Sequence, residues 1–71
     1  MAPARAARDR ALDAALGLFV ERGYKGATTR AIAERAGVNE VTLFRLFGTE
    51  QGLFLAVVKR ETDVRDRLYS L

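Results

Sequence analysis

The chain has no cysteine, no histidine and no tryptophan, and a single proline among its 71 residues. Without cysteine there can be no disulfide framework and no thiolate metal site. Without histidine, imidazole-based zinc binding and a histidine general base are also excluded. Long apolar runs are missing too. The longest are a few residues, against the ~20 needed to span a bilayer. The first residues, Met1 to Arg5, lack the apolar core of a signal peptide, so a cytoplasmic location is expected and no membrane partner. One proline and six glycines, with 49% apolar residues, exclude a disordered chain. The length suits one small domain with a thin core.

Charge is present but modest, at +3. It is uneven: residues 1–27 carry +2, residues 28–48 carry +1, and residues 49–71 are neutral. Arginine outnumbers lysine ten to two, which suits bidentate contacts to phosphate or guanine but also fits a simple coding bias.

Glycines 23, 26, 37 and 48 punctuate the chain. Between about 4 and 22, Ala11, Leu12, Ala15, Leu18 and Phe19 fall on one helical face. Gly23 is a natural stop, and Tyr24 is expected to fold back as an aromatic plug. A second, short helix follows over about 29–36, capped by the hydroxyl of Thr28 or Thr29. Its apolar face is Ile32, Ala33 and Ala36. Asn39 caps a third helix over about 40–46, with Val38 stapled near Leu43. Leu43, Leu46 and Phe47 form its inner side. Thr49 caps a fourth helix, whose apolar stripe of Leu53, Phe54, Val57, Val58, Val64 and Leu68 is richer than so small a domain requires. The fold class is therefore all-α: residues 1–48 as a three-helix helix-turn-helix bundle, and 49–71 as the start of a long connecting helix. The open end of that helix reads as the front part of a longer protein.

The second and third helices carry the functional signal. With Thr29 as position one of a twenty-residue unit, Ile32, Ala33, Ala36, Gly37, Val38, Leu43 and Leu46 stand at positions 4, 5, 8, 9, 10, 15 and 18. Ala33 must be small where the helices cross. Gly37 allows positive φ in the turn, and the larger apolar residues lock the crossing angle. These residues hold the motif and do not touch a ligand. The outward residues of the third helix, Asn39, Glu40, Val41, Thr42, Phe44 and Arg45, are placed to enter a major groove. Arg45 suits guanine, and Thr28 and Thr29 suit phosphate. Arg5, Arg8 and Arg30 would add diffuse, salt-sensitive attraction. No nucleophile–base pair, metal set or phosphate-cradling loop is present, so neither an enzyme nor a cofactor is expected. The competing reading is a helical protein-interaction module docking through Val64 and Leu68.

The same positions resemble the tetracycline-repressor (TetR) family of bacterial transcription regulators. The matching run is Ala14-Ala15, Leu18-Phe19, Gly23-Tyr24, Thr28-Thr29, Ile32-Ala33, Ala36-Gly37-Val38, Thr42-Leu43-Phe44, Phe47 and Leu53, within about residues 8–58. The resemblance implies DNA contacts at Thr28, Thr29, Arg30, Asn39, Glu40, Val41, Thr42, Phe44, Arg45 and Thr49, with Glu50 nearby. It implies a homodimer on a palindromic double-stranded operator, usually as a repressor. It also implies a further C-terminal helical domain that binds a small effector. Three positions depart from the family's common residues: Phe44 replaces Tyr, Glu50 replaces Lys, and Val41 replaces Gly or another small residue.

Overall fold

A computed structural model describes residues 6–69, the side chain of Tyr69 excepted. The expectations for Pro3, Ala4 and Arg5 lie outside these residues. The described residues form four helices: α1 (Ala7–Gly26), α2 (Thr29–Ala36), α3 (Glu40–Phe47) and α4 (Glu50–Tyr69).

Each boundary has a local chemical cause. Regular helical geometry in α1 breaks at Gly23, at φ 76°, a conformation that disfavours any Cβ. The Thr28 hydroxyl accepts from the Ala31 N–H at 3.1 Å and starts α2. The α2 end is a Schellman closure: Gly37 takes φ 75°, its N–H reaches the Glu34 carbonyl at 3.2 Å, and the Val38 N–H reaches that of Ala33 at 3.0 Å. The Asn39 carboxamide oxygen accepts from the Thr42 N–H at 2.8 Å. The Thr49 hydroxyl accepts from the Gly52 N–H at 2.9 Å. All three caps satisfy backbone donors that a helix start leaves open.

The core is built on Leu18, Ile32 and Leu43, the largest fully buried side chains. Ala11, Ala14, Ala15, Ala33 and Ala36 surround them, so α1 and α2 approach over small side chains. From α4 come Leu53 and Val57. Each large apolar side chain so buried contributes about 1.5–3 kcal/mol.

Four long-range contacts fix the helices to one another. Arg35 of α2 clasps Glu21 of α1 through two hydrogen bonds of 2.8 and 2.9 Å. Arg10 donates from Nε to the Ala36 carbonyl at 3.0 Å, satisfying an acceptor at the α2 end. Arg60 of α4 pairs with Asp13 of α1 at 2.9 Å. The Arg8 guanidinium lies 5.1 Å from the Phe47 ring centroid, a cation–π geometry.

Several expected core positions lie outside. Leu46 is exposed, because α3 is only eight residues long and meets the core along Leu43 and Phe47, one turn apart. Phe54 and Val58 are exposed as well, because the space between α1 and α4 is left as an open groove that they line. Val64 and Leu68, the part of the stripe beyond what so small a domain requires, are exposed too. Tyr24 is a lid rather than a plug. It is half exposed, with its ring 6.0 Å from Phe19 and 5.2 Å from Phe54.

Candidate nucleic-acid interface

Three helix starts meet on one side of the molecule. The Thr29 hydroxyl, at the start of α2, donates to Oε2 of Glu40, the first residue of α3, at 2.9 Å. Thr29 also lines one small cleft with Glu50, the first residue of α4. The starts of α2, α3 and α4 are thus neighbours. Each carries the partial positive charge of a helix N-terminus, and each has its cap in place.

Position and chemistry differ among the residues singled out from sequence. Thr28 is exposed and its oxygen accepts within the cap, which leaves its O–H proton free to donate. Thr29 is half-buried, and its single proton is already given to Glu40. Asn39 likewise has its side-chain oxygen in a cap, with the amide NH2 outward of that bond. Thr49 caps α4 in the same manner.

Along α3, Glu40, Val41, Phe44 and Arg45 are exposed and Thr42 is half-buried. Val41 is 65% exposed. Phe44 stands one turn further on, 40% exposed. Arg45 forms no ion pair among the described residues. Arg30 is partly occupied, 3.7 Å from Glu34 one turn along α2, an exposed pair of little strength. The ridge therefore offers a free guanidinium, a carboxylate held by a neutral donor, and apolar side chains between them.

Outside this ridge, the Glu21–Arg35 pair is structural. Hydrogen bonding from Arg35, ahead of its charge, holds the Glu21 carboxyl below the ordinary glutamate value, and the Glu21 contact raises Arg35. Among the described residues no group of acidic side chains is arranged to hold a metal ion. No single helix among them is long and apolar enough to cross a membrane. An open groove of about 290 Å³ runs between α1 and α4, lined by Leu16, Phe19, Phe54, Val57 and Val58, with Glu61 and Arg65 at its rim. It lies on elements other than the α3 ridge.

Sequence reasoning located the ridge but missed the Thr29–Glu40 bond. The two residues are eleven apart, and nothing local signals that pairing. It also missed Gly52, where a Cβ would run into the Phe47 carbonyl oxygen. A glycine three residues after a helix cap, within a good helical pattern, was the available signal.

Comparison with known proteins places this arrangement. The family described as bacterial regulatory proteins, tetR family, matches residues 11–57. An uncharacterized HTH-type transcriptional regulator of Bacillus subtilis, YvkB, is 44% identical over 61 residues, covering 86% of this chain and 32% of that protein. The HTH-type transcriptional activator FasR of Mycolicibacterium smegmatis is 43% identical over 56 residues, covering 79% and 26% respectively. The HTH-type transcriptional repressor AcnR of Corynebacterium glutamicum is 37% identical over 54 residues, covering 76% and 29%. The chain thus spans about a quarter to a third of the length of these relatives. No solved structure matches it.

Proposed function

The chain belongs to the tetR family of bacterial regulatory proteins, as the DNA-binding domain of a transcriptional regulator and not an enzyme, and from that premise we propose which of its residues grip the duplex. α3 lies in the major groove and presents Glu40, Val41, Phe44 and Arg45 to base edges and sugars, with Thr42 beside them. Thr28 donates its free hydroxyl proton to a phosphate, and Arg30 adds charge attraction. Asn39 and Thr49 contribute through the helix starts they cap, where N–H groups and the helix dipole favour an anion. Phe44 carries no hydroxyl, so its contact is apolar, with a sugar or a thymine methyl.

The observation that carries this reading is the exposed ridge of α3. An unpaired arginine and two uncovered apolar side chains stand on the short second helix of the motif, beside three capped helix starts.

We further propose that the whole protein acts as a homodimer in the cytoplasm on a palindromic operator. A region outside this chain would bind a small effector and release the DNA. The relatives' greater length supports a further region, and the repressor named among them supports repression. FasR is named an activator and AcnR a repressor, so this chain is similar to regulators of both signs.

Amide chemical shifts of the chain, titrated with duplex DNA at low salt, test the face. Shifts are expected at residues 28–30, 39–45 and 49–52. Shifts confined to Val64, Leu68 and their neighbours would refute the groove assignment and promote a protein-docking role for α4. Arg45→Ala should cost ~1–3 kcal/mol at one base position if Arg45 reads guanine. An equal loss on every sequence would make it a phosphate contact instead.

A further inference from the structure

Glu40 is the only acidic residue in α3, and it stands on the ridge proposed to face a polyanion. A carboxylate there is repelled by phosphates unless it meets a specific donor. Its one hydrogen-bond partner among the described residues is the Thr29 hydroxyl, at 2.9 Å, and no cation neutralises it. That donor is neutral and brings no compensating charge. It is also half-buried at the start of a neighbouring helix, so it fixes where the carboxylate points. Only Oε2 is occupied. Oε1 remains open, on a side chain that is otherwise exposed.

A carboxylate accepts and cannot donate. In the major groove, amino donors are offered by cytosine N4 and adenine N6. Adenine sets the N7 acceptor beside its donor, which suits an amide, whereas cytosine offers its donor alone, which suits a carboxylate. Resting on the DNA-binding reading above, we infer that Glu40 is a specificity-determining residue that selects cytosine through its N4 amino group, with Thr29 as its positioning residue. The operator then carries a C·G pair beneath the start of α3. Thr29 acts through Glu40 and gives no proton to phosphate. That contact falls to Thr28, whose proton is free.

The test is selection by the full chain from a duplex library with a randomised window, repeated with Glu40→Gln, Thr29→Val and Thr29→Ser, followed by binding to the selected duplex and its single-base variants. Wild type should prefer cytosine at one position by at least about fivefold. Glu40→Gln should move that preference to adenine, because an amide matches the adenine N6/N7 pair. Thr29→Val keeps the bulk but not the proton, and should lower the cytosine preference below about twofold. Thr29→Ser should restore it. Unchanged base preference in Glu40→Gln, with duplex binding intact, overturns the cytosine-reading role and leaves the DNA-binding reading standing. A Thr29→Val variant that melts earlier but selects the same base overturns the positioning role. Failure of the wild-type chain to retain any duplex overturns both.

Discussion

Gly52→Ala separates what a helix wants locally from what the packed domain permits. Gly52 lies in the first turn of α4. In an isolated helix, replacing glycine by alanine stabilises by about 1 kcal/mol. Here the added Cβ would be driven into the carbonyl oxygen of Phe47 and lie 3.3 Å from its carbonyl carbon. The obstacle is backbone and cannot swing aside like a side chain. Phe47 ends α3, and the next N–H, that of Gly48, bonds the Phe44 carbonyl at 2.7 Å, so relief requires moving the α3–α4 junction. Forcing extra bulk into such a place costs about 1–3 kcal/mol. After the propensity gain is subtracted, a net loss of up to about 2 kcal/mol is expected. For a domain of this size each 1 kcal/mol shifts Tm by about 4–8 °C, so the variant should melt lower, by up to about 15 °C.

Thermal unfolding followed by far-ultraviolet circular dichroism reads this directly. Gly17→Ala is the control. There the nearest atom to the new Cβ is Nη1 of Arg35 at 3.1 Å, the far end of a flexible side chain, so its Tm should change little or rise. A Gly52→Ala variant that melts at or above wild type would refute the reasoning: helix propensity would then outweigh the junction, and glycine would not be required there.

Two further outcomes follow from the same structure. Leu43→Ala removes a side chain that is 1% exposed at the meeting point of α3 with the core, and should cost about 2–5 kcal/mol in urea unfolding; a loss under 1 kcal/mol would mean that the core closes over the gap. The Glu21 carboxyl is held below its ordinary value, chiefly by hydrogen bonds from Arg35. Its contribution is therefore present above the unfolded-state glutamate value and is lost as pH falls through the lowered folded value. Both groups are exposed, so the effect is small and shrinks with salt. Glu21→Gln should flatten that acidic segment of the stability curve, and an unchanged pH profile would show that the clasp does not form in solution.

What could be read from the sequence was local. The caps at Thr28, Asn39 and Thr49 depend on one hydroxyl or carboxamide within three residues of its partner. The positive φ of Gly23, Gly37 and Gly48 depends on the absence of a Cβ. Periodicity found Leu12, Leu18, Ile32, Ala33 and Leu43, all buried, because each faces the interior of a short bundle whichever way the helices tilt. It failed at Leu46, Phe54 and Val58, where exposure depends on how the neighbouring helices pack. Side-chain pairing was not legible at all. Glu21 and Arg35 are 14 residues apart, and Arg10 lies 26 from Ala36. Such partners exist only once the crossing of α1 and α2 is set. At the proposed site, sequence order placed Thr29 and Glu40 on the same face without showing that one holds the other.

That pairing bears on how so lightly charged a domain could grip DNA. Residues 28–48 carry only +1, and two of their three arginines are engaged, Arg35 with Glu21 and Arg30 weakly with Glu34. Counterion release from so few cations supports only a shallow salt dependence. In the proposed binding mode, attraction would come mainly from fixed donors: the helix starts at α2, α3 and α4, whose N–H groups need no ordering on contact, with Thr28 and Arg45 beside them. Fixed donors work only if the helices that carry them stay in place. The Glu21–Arg35 clasp and the Arg10 bond to the Ala36 carbonyl hold α2 from behind, and the Thr29–Glu40 bond ties α3 to it in front. Arg35 and Arg10, engaged behind α2, thus help to keep the proposed reading helix in place, which favours discrimination between sequences over strength of non-specific binding.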